Sequence, residues 1–312
     1  MESATDFVFG PLPPIQAPAP PVAAGEPAAA AAAADPLGPL AGLAGNWTGQ
    51  GFNVIWRPHP LQPSGQDRFL ELNVTSEQLD FGPALQQIPN RGLLQPNISL
   101  AGLNYLQQIA DANTNTNQHF EPGMWITVPP TSDPHEPTTV ARLASIPHGT
   151  TILLQGTAQT SPGPPSIPDV SIKPFPINPP NQPPIDFPEQ NLATPTQFRT
   201  SGAGLTGITQ QMVNNPNTVL RAAPSAQITS TTTLQVSSQD ASLPGGGTAN
   251  IAFLKGTAHS NANAAHVTAT FWLQTLQGDT EPRRLQYSQI VMLLFNTISW
   301  PHITVATLEK QS

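Results

Sequence analysis

The sequence predicts an all-β protein: an antiparallel barrel with a Pro-rich insertion and short helices. The first observation is a succession of segments rich in Thr, Val, Ile, Leu and aromatics: Ile228 to Val236, Asn250 to Gly256, Ala264 to Leu276, Leu285 to Phe295 and Ile298 to Leu308. They are cut by Gly, Asn, Asp and Pro, and consecutive strands with short turns fit an antiparallel barrel or sandwich rather than βαβ units. The second is Leu43-Ala-Gly-Asn-Trp-Thr-Gly-Gln-Gly-Phe52, a large aromatic among glycines, which is one way to bend a strand at a barrel corner. The third is the last strand, Ile298 to Leu308, which carries a single histidine, His302. These two ends of the ordered region are expected to lie side by side and close a barrel.

Taken in order, residues 1–37 are Pro/Ala-rich and lack the large apolar side chains that offset ordering entropy, so a disordered arm is predicted. Residues 38–312 then form one domain. A short helical turn over 36–45 leads into the strand Trp47 to Trp56. There Trp47, Gly49 and Gly51 share one parity, and Phe52, Val54 and Trp56 the other. In the next strand Phe69, Glu71 and Asn73 face one way and Leu70, Leu72 and Val74 the other. The spacing of Leu100, Leu103, Leu106 and Ile109 predicts a short helix. Gln118 to Val128 reads as a strand with a turn near Pro122-Gly123. Thr138 to Ser145 and Thr150 to Thr157 read as a hairpin about Ile146-Pro-His-Gly149. Residues 159–249 are read as a Pro-rich insertion, with 161–196 a surface excursion that Pro keeps out of central ladders. Asn215 and Pro216 are the expected N-cap and first residue of a short helix.

Composition excludes several functions. Net charge is −8 without a basic stripe, which argues against nucleic acid and an anionic membrane surface as partners. Cys is absent, which removes disulfides, thiolate haem ligation, Cys–zinc sites and Cys nucleophiles. The N-terminus has no basic signal region, and Ala28 to Ala34 is too short to span a bilayer, so a cytoplasmic protein is expected. There is no Gly-x-Ser-x-Gly elbow, and no Gly-x-Gly-x-x-Gly opening a helix.

The opening strand Leu43 to Gly51 resembles that of the nitrobindin family, haem-binding β-barrels of the calycin type. His119-Phe-Glu-Pro-Gly-Met-Trp125 is similar to that family's His-x-Glu-x-Gly-aromatic strand. Ala141 to Thr157 resembles its hairpin, and Leu285-Gln-Tyr287 and Trp300-Pro-His302 its last two strands. The resemblance covers residues 43–158 and 250–308 and has no counterpart for 159–249. It implies a calycin-like barrel binding haem b. His302 matches the proximal histidine, the ligand to the haem iron, and the implied reactants are nitric oxide, peroxynitrite or peroxide.

Each candidate has a plainer reading beside it. If Ile303 and Val305 face outward, His302 shares its face with Thr304 and Ala306, whose small side chains leave room for a flat macrocycle; otherwise it is a satisfied interior histidine. His119 and Glu121, two apart, share a strand face and make either an acid/base pair or a structural hydrogen bond. His148 is a mouth residue or a solvated turn. His119, His148 and His302 together are a further metal alternative, although their spacing is no recognised pattern. Trp47, Trp125 and Met292 line an apolar cavity or fill the core. His59, His135, His259 and His266 lie near turns. Three functions remain open: a haem barrel, a haem-free barrel carrying a small apolar molecule, and a cofactor-free enzyme using His119 and Glu121 with the insertion as a lid.

Overall fold

The computed structural model describes residues 35–311 except 61, 63–65, 180–181, 197–204, 241, 244 and 257–260. The arm, up to residue 34, and His259 lie outside the described residues. The described residues begin at Asp35, and Leu37, expected in the arm, is buried.

The strands are β1 (Gly45–Pro58), β2 (Arg68–Asn90), β3 (Ile98–Asp111), β4 (Asn117–Val128), β5 (Thr131–Ser132), β6 (His135–Glu136) and β7 (Thr139–Ile146). They continue as β8 (Thr150–Pro162), β9 (Phe175–Pro176), β10 (Ile228–Ser237), β11 (Gly247–Asn250), β12 (Asn263–Leu276), β13 (Pro282–Phe295) and β14 (Ile298–Lys310). Ten of them form a closed antiparallel barrel in the order β1-β2-β3-β4-β7-β8-β10-β12-β13-β14, with β14 returning to β1. The closing pair runs from Trp47 opposite Lys310 to Ile55 opposite His302, so the two ends of the ordered chain meet as expected.

Four local expectations are corrected. The stretch 100–109 is strand, not helix. Ala101, Leu103, Tyr105, Gln107, Ile109 and Asp111 are all buried at a period of two, and the polar members of that row hide the alternation. β4 runs straight through Pro122-Gly123 without a turn. Gly123 is required there because an added Cβ would stand 2.5 Å from the Tyr105 ring. Residues 250–256 form the end of β11 and the helix α3 (Ala252–Lys255), not a strand. Asn215 is not an N-cap: it ends α1 (Gln210–Asn214), which Thr209 caps through Met212, and α2 (Thr218–Arg221) starts three residues later. The 146–149 hairpin forms as expected, with Gly149 at φ +105°.

The barrel wall separates two apolar cores. Inside, one end is filled by Trp47, Leu79, Leu103, Trp125, Phe271 and Leu308. The 3-10 helix Gly38–Leu43 plugs that end with Leu40 and Leu43, each worth about 1.5–3 kcal/mol of burial. Outside, Phe52, Val54, Ile303 and Val305 pack under Ile172, Ile208, Val213 and Leu220 of the Pro-rich excursion. The Trp56 indole anchors it by donating to the Ile172 carbonyl at 2.9 Å. The excursion therefore covers the outer wall. The insertion read from sequence is too long: β10, within 159–249, is a barrel strand, and of the described residues of 163–227 only the short β9 joins the sheet, beside β14.

Candidate functional site

The other end of the barrel interior is a cavity of about 420 Å³, within the range of small-molecule sites. Ile55, Ile109, Ile152, Val291 and Leu293 give it apolar walls. Leu254 of α3 and Ala262 also line it, and none of the described residues of 163–227 does.

His302 lines this cavity. Ile303 and Val305 face the outer core, the condition on which the inward orientation depended. Its Nε2 lies 2.8 Å from Asn53 Oδ1. Asn53 Nδ2 donates to Asn73 Oδ1 at 3.4 Å, and Asn73 Nδ2 donates to the Asp111 carboxylate at 2.9 Å. A carboxylate only accepts, so this chain has one direction. Asp111 orients Asn73, Asn73 orients Asn53, and Asn53 Oδ1 is left to accept from His302 Nε2–H and from Thr304 Oγ1 at 3.1 Å. Burial opposes ionisation of Asp111, yet donors from Asn73, Thr114 and Asn113 hold its carboxyl below the usual range. The neutral ring therefore carries its proton on Nε2 and its lone pair on Nδ1, which has no hydrogen-bond partner among the described residues. Burial, with some repulsion from His119 and His148, lowers the His302 pKa to about 3. The imidazole is uncharged at any physiological pH.

Beneath the cavity lies a layer of buried polar groups that separates it from the apolar end. Glu121 accepts from Tyr105 Oη and Arg142 Nη2, and pairs with His119 Nε2 at 3.1 Å. Burial favours the neutral acid, but the Arg142 charge outweighs it, aided by His119, and the Glu121 pKa falls to about 2. Arg142 also donates to Gln289 Oε1 at 2.6 Å. Beside this pair, Glu77 accepts from Thr75 at 2.8 Å and from the Tyr287 hydroxyl at 2.5 Å, and Gln107 donates to Tyr287 Oη at 2.9 Å. No cation pairs with Glu77 among the described residues. Burial raises its pKa to about 7 against these hydrogen bonds. Gly51 makes the room: an added Cβ would come within 2.7 Å of a Glu77 carboxylate oxygen and 2.8 Å of Thr75 Oγ1. The glycine at this place in β1 thus makes room for a buried acid.

The sequence candidates fall in different places. His302, His119 and His148 line the cavity, and the His119–Glu121 hydrogen bond forms. The rings of His119 and His148 stand 5.8 Å apart at the mouth. Among the described residues, no group of three His, Cys, Asp or Glu side chains is placed to hold a metal ion, so the three-histidine alternative is not assembled. Trp47 and Trp125 do not line the cavity. Both lie below the polar layer, where Trp47 donates to the Leu43 carbonyl at 2.8 Å and Trp125 packs edge-on to Phe271. Met292 is on the wrong parity, because Val291 and Leu293 are the residues of β13 that face inward there. Sequence reading missed Glu77, Gln107, Arg142, Tyr287 and Gln289. A signal was present: Arg142 shares its parity with Val140, Ala144 and Ile146, so a charge stands on an otherwise apolar face, and Glu77 is followed on its own parity by Leu79 and Phe81.

No family model matches the chain, and no curated protein matches it. Among solved structures the chain is similar to Rv2717c from M. tuberculosis, at 14% identity and a TM-score of 0.41, over 89% of this chain and 99% of that one. No helix among the described residues is long and apolar enough to cross a membrane.

Proposed function

We propose that the barrel binds haem b in this cavity, with His302 as the protein ligand to the iron. The observation that carries the reading is the neutral imidazole with one nitrogen tied to Asn53 and the other left with its lone pair. Metal-ligating histidines have this arrangement: one ring nitrogen, Nε2 or Nδ1, binds, while the other donates to an oriented acceptor. The donor set fits the group. A haem iron would take one imidazole, His302, from this wall, and Ile55, Ile109, Ile152 and Val291 would give its ring apolar surroundings. His302 would bind through Nδ1 while Asn53, Asn73 and Asp111 hold its orientation. His119 and His148 stand at the mouth. When bound, haem supplies a redox-active iron, the chemistry that nitric oxide, peroxynitrite or peroxide would require. The haem-free alternative, a barrel holding a small apolar molecule with one polar end, is favoured by the hydrogen-bonding floor of the cavity.

The test is a titration of the full-length protein with hemin, followed in the Soret region. Wild type is expected to saturate at one equivalent, with a band distinct from free hemin. His302→Ala should give only the free-hemin spectrum while keeping its wild-type thermal transition. Asn53→Leu should bind about 10–100-fold more weakly, the usual loss when a group orienting the ligand is removed. A wild type that never saturates, or a His302→Ala spectrum equal to wild type, removes the haem reading and leaves the haem-free barrel.

A further inference from the structure

The polar floor is a costly thing to build under a cavity. An ion pair and a lone carboxyl, all buried, are often no more stable than apolar residues of the same volume. Here the layer is not sealed off, because Gln107, Tyr287 and Gln289 are also cavity-lining residues. Gln289 and Tyr287 are two apart on β13 and point the same way. Arg142 can only donate, so its bond to Gln289 Oε1 fixes that amide and leaves Gln289 Nε2 as a donor with no partner among the described residues. Tyr287 keeps its proton, since burial and the nearby Glu77 raise its pKa well above the ordinary value.

We propose that this floor is a binding site for the carbonyl end of a small, otherwise apolar molecule, with Gln289 and Tyr287 as donors and Glu77 controlling whether Tyr287 donates. When Glu77 is ionised it accepts a hydrogen bond from the Tyr287 hydroxyl, as in the geometry described here, and Tyr287 turns only a lone pair toward the cavity. When Glu77 is protonated it donates to Tyr287 Oη, which still accepts from Gln107, and the phenolic proton is free for a ligand oxygen. The Glu77 value of about 7 puts this exchange near neutrality. The groups packed around Glu77 and Tyr287 are Gly51 on β1, Thr75 on β2, Gln107 and Tyr105 on β3, His119 and Glu121 on β4, and Arg142 on β7. Of these, Glu121 is held at about 2, and burial raises Tyr105 well above its ordinary value. The proposal rests on the cavity being the binding site and not on haem, so loss of the hemin band leaves it standing.

Acetophenone, an apolar ring with one acceptor oxygen, is the probe. It is titrated into the full-length protein at pH about 5.5 and about 8.5, either side of the Glu77 value, and followed by the side-chain amide resonances of Gln289 and Gln107. Wild type is expected to bind about three- to tenfold more tightly at the acid pH, the worth of one net hydrogen bond. Glu77→Gln has an amide to donate to Tyr287 at both pH values, so it should bind with the tighter constant throughout. Tyr287→Phe should bind more weakly and equally at the two. Equal affinity for wild type at both pH values overturns the proposal, as does failure to bind. A pH difference that survives in Tyr287→Phe also overturns it, because it would then arise without the Tyr287 hydroxyl.

Discussion

Replacing Arg142 with methionine should destabilise the protein by about 3–5 kcal/mol near pH 7.5, the usual cost of leaving one partner of a buried pair uncompensated. Arg142 and Glu121 are both essentially inaccessible to solvent. The guanidinium also donates to the Tyr105 hydroxyl at 2.8 Å and to Gln289, so its removal strands acceptors as well as a charge. The pH dependence should change sign. In wild type the Glu121 pKa lies below its unfolded value, at about 2 against 4.5. Its contribution is therefore present above pH 4.5 and is lost as pH falls through about 2. Without Arg142, burial dominates and the carboxyl is raised instead, so the variant should be least stable at high pH and recover part of the loss in acid. Pairing Arg142→Met with Glu121→Leu should restore much of the stability, since no buried charge remains. Guanidinium unfolding at two pH values checks all three statements, and a single variant as stable as wild type at pH 7.5 would contradict the first.

Replacing Glu77 with glutamine should act in the opposite direction. Its folded pKa is raised, from 4.5 to about 7. Its contribution is thus fully present below pH 4.5 and is lost as pH rises through about 7. The difference of about 2.5, at roughly 1.36 kcal/mol for each pH unit, comes to about 3 kcal/mol forfeited by wild type at pH 8.5. Glutamine keeps an acceptor for Thr75 and offers a donor to Tyr287, without a proton to lose. Glu77→Gln should therefore be close to wild type at pH 4.5 and more stable by up to about 3 kcal/mol at pH 8.5. Unfolding curves measured across this range give the difference directly. A gap that does not widen with pH would show that Glu77 is ionised at no great cost, and the floor would lose its switch.

The wall of the barrel was legible because a few large residues give the parity of its two end strands. Trp47, Gly49 and Gly51 face inward and Phe52, Val54 and Trp56 outward, and Ile303 and Val305 turn His302 to the interior. β3 was not legible, because an inward row that mixes Leu103 with Gln107 and Asp111 has no apolar period of two. The same property explains why the floor was missed. Glu77, Gln107, Glu121, Arg142 and Tyr287 come from five strands, and their hydrogen bonds span up to 210 positions in the chain. Only pairing register brings them level. Trp47 and Trp125 were placed in the correct interior but at the wrong depth, because sequence parity gives the face of a strand and not the height along the barrel axis.

The account depends on an imidazole that stays uncharged inside the barrel with its lone pair on Nδ1. The direct measurement is the ring-nitrogen NMR spectrum of His302 in the full-length protein, taken from pH about 8 down to about 5. Burial and the directed chain from Asp111 predict a single neutral Nε2–H tautomer over that whole range, with no titration until far below the ordinary histidine value. A midpoint near the ordinary 6.5, or a proton on Nδ1, would contradict it.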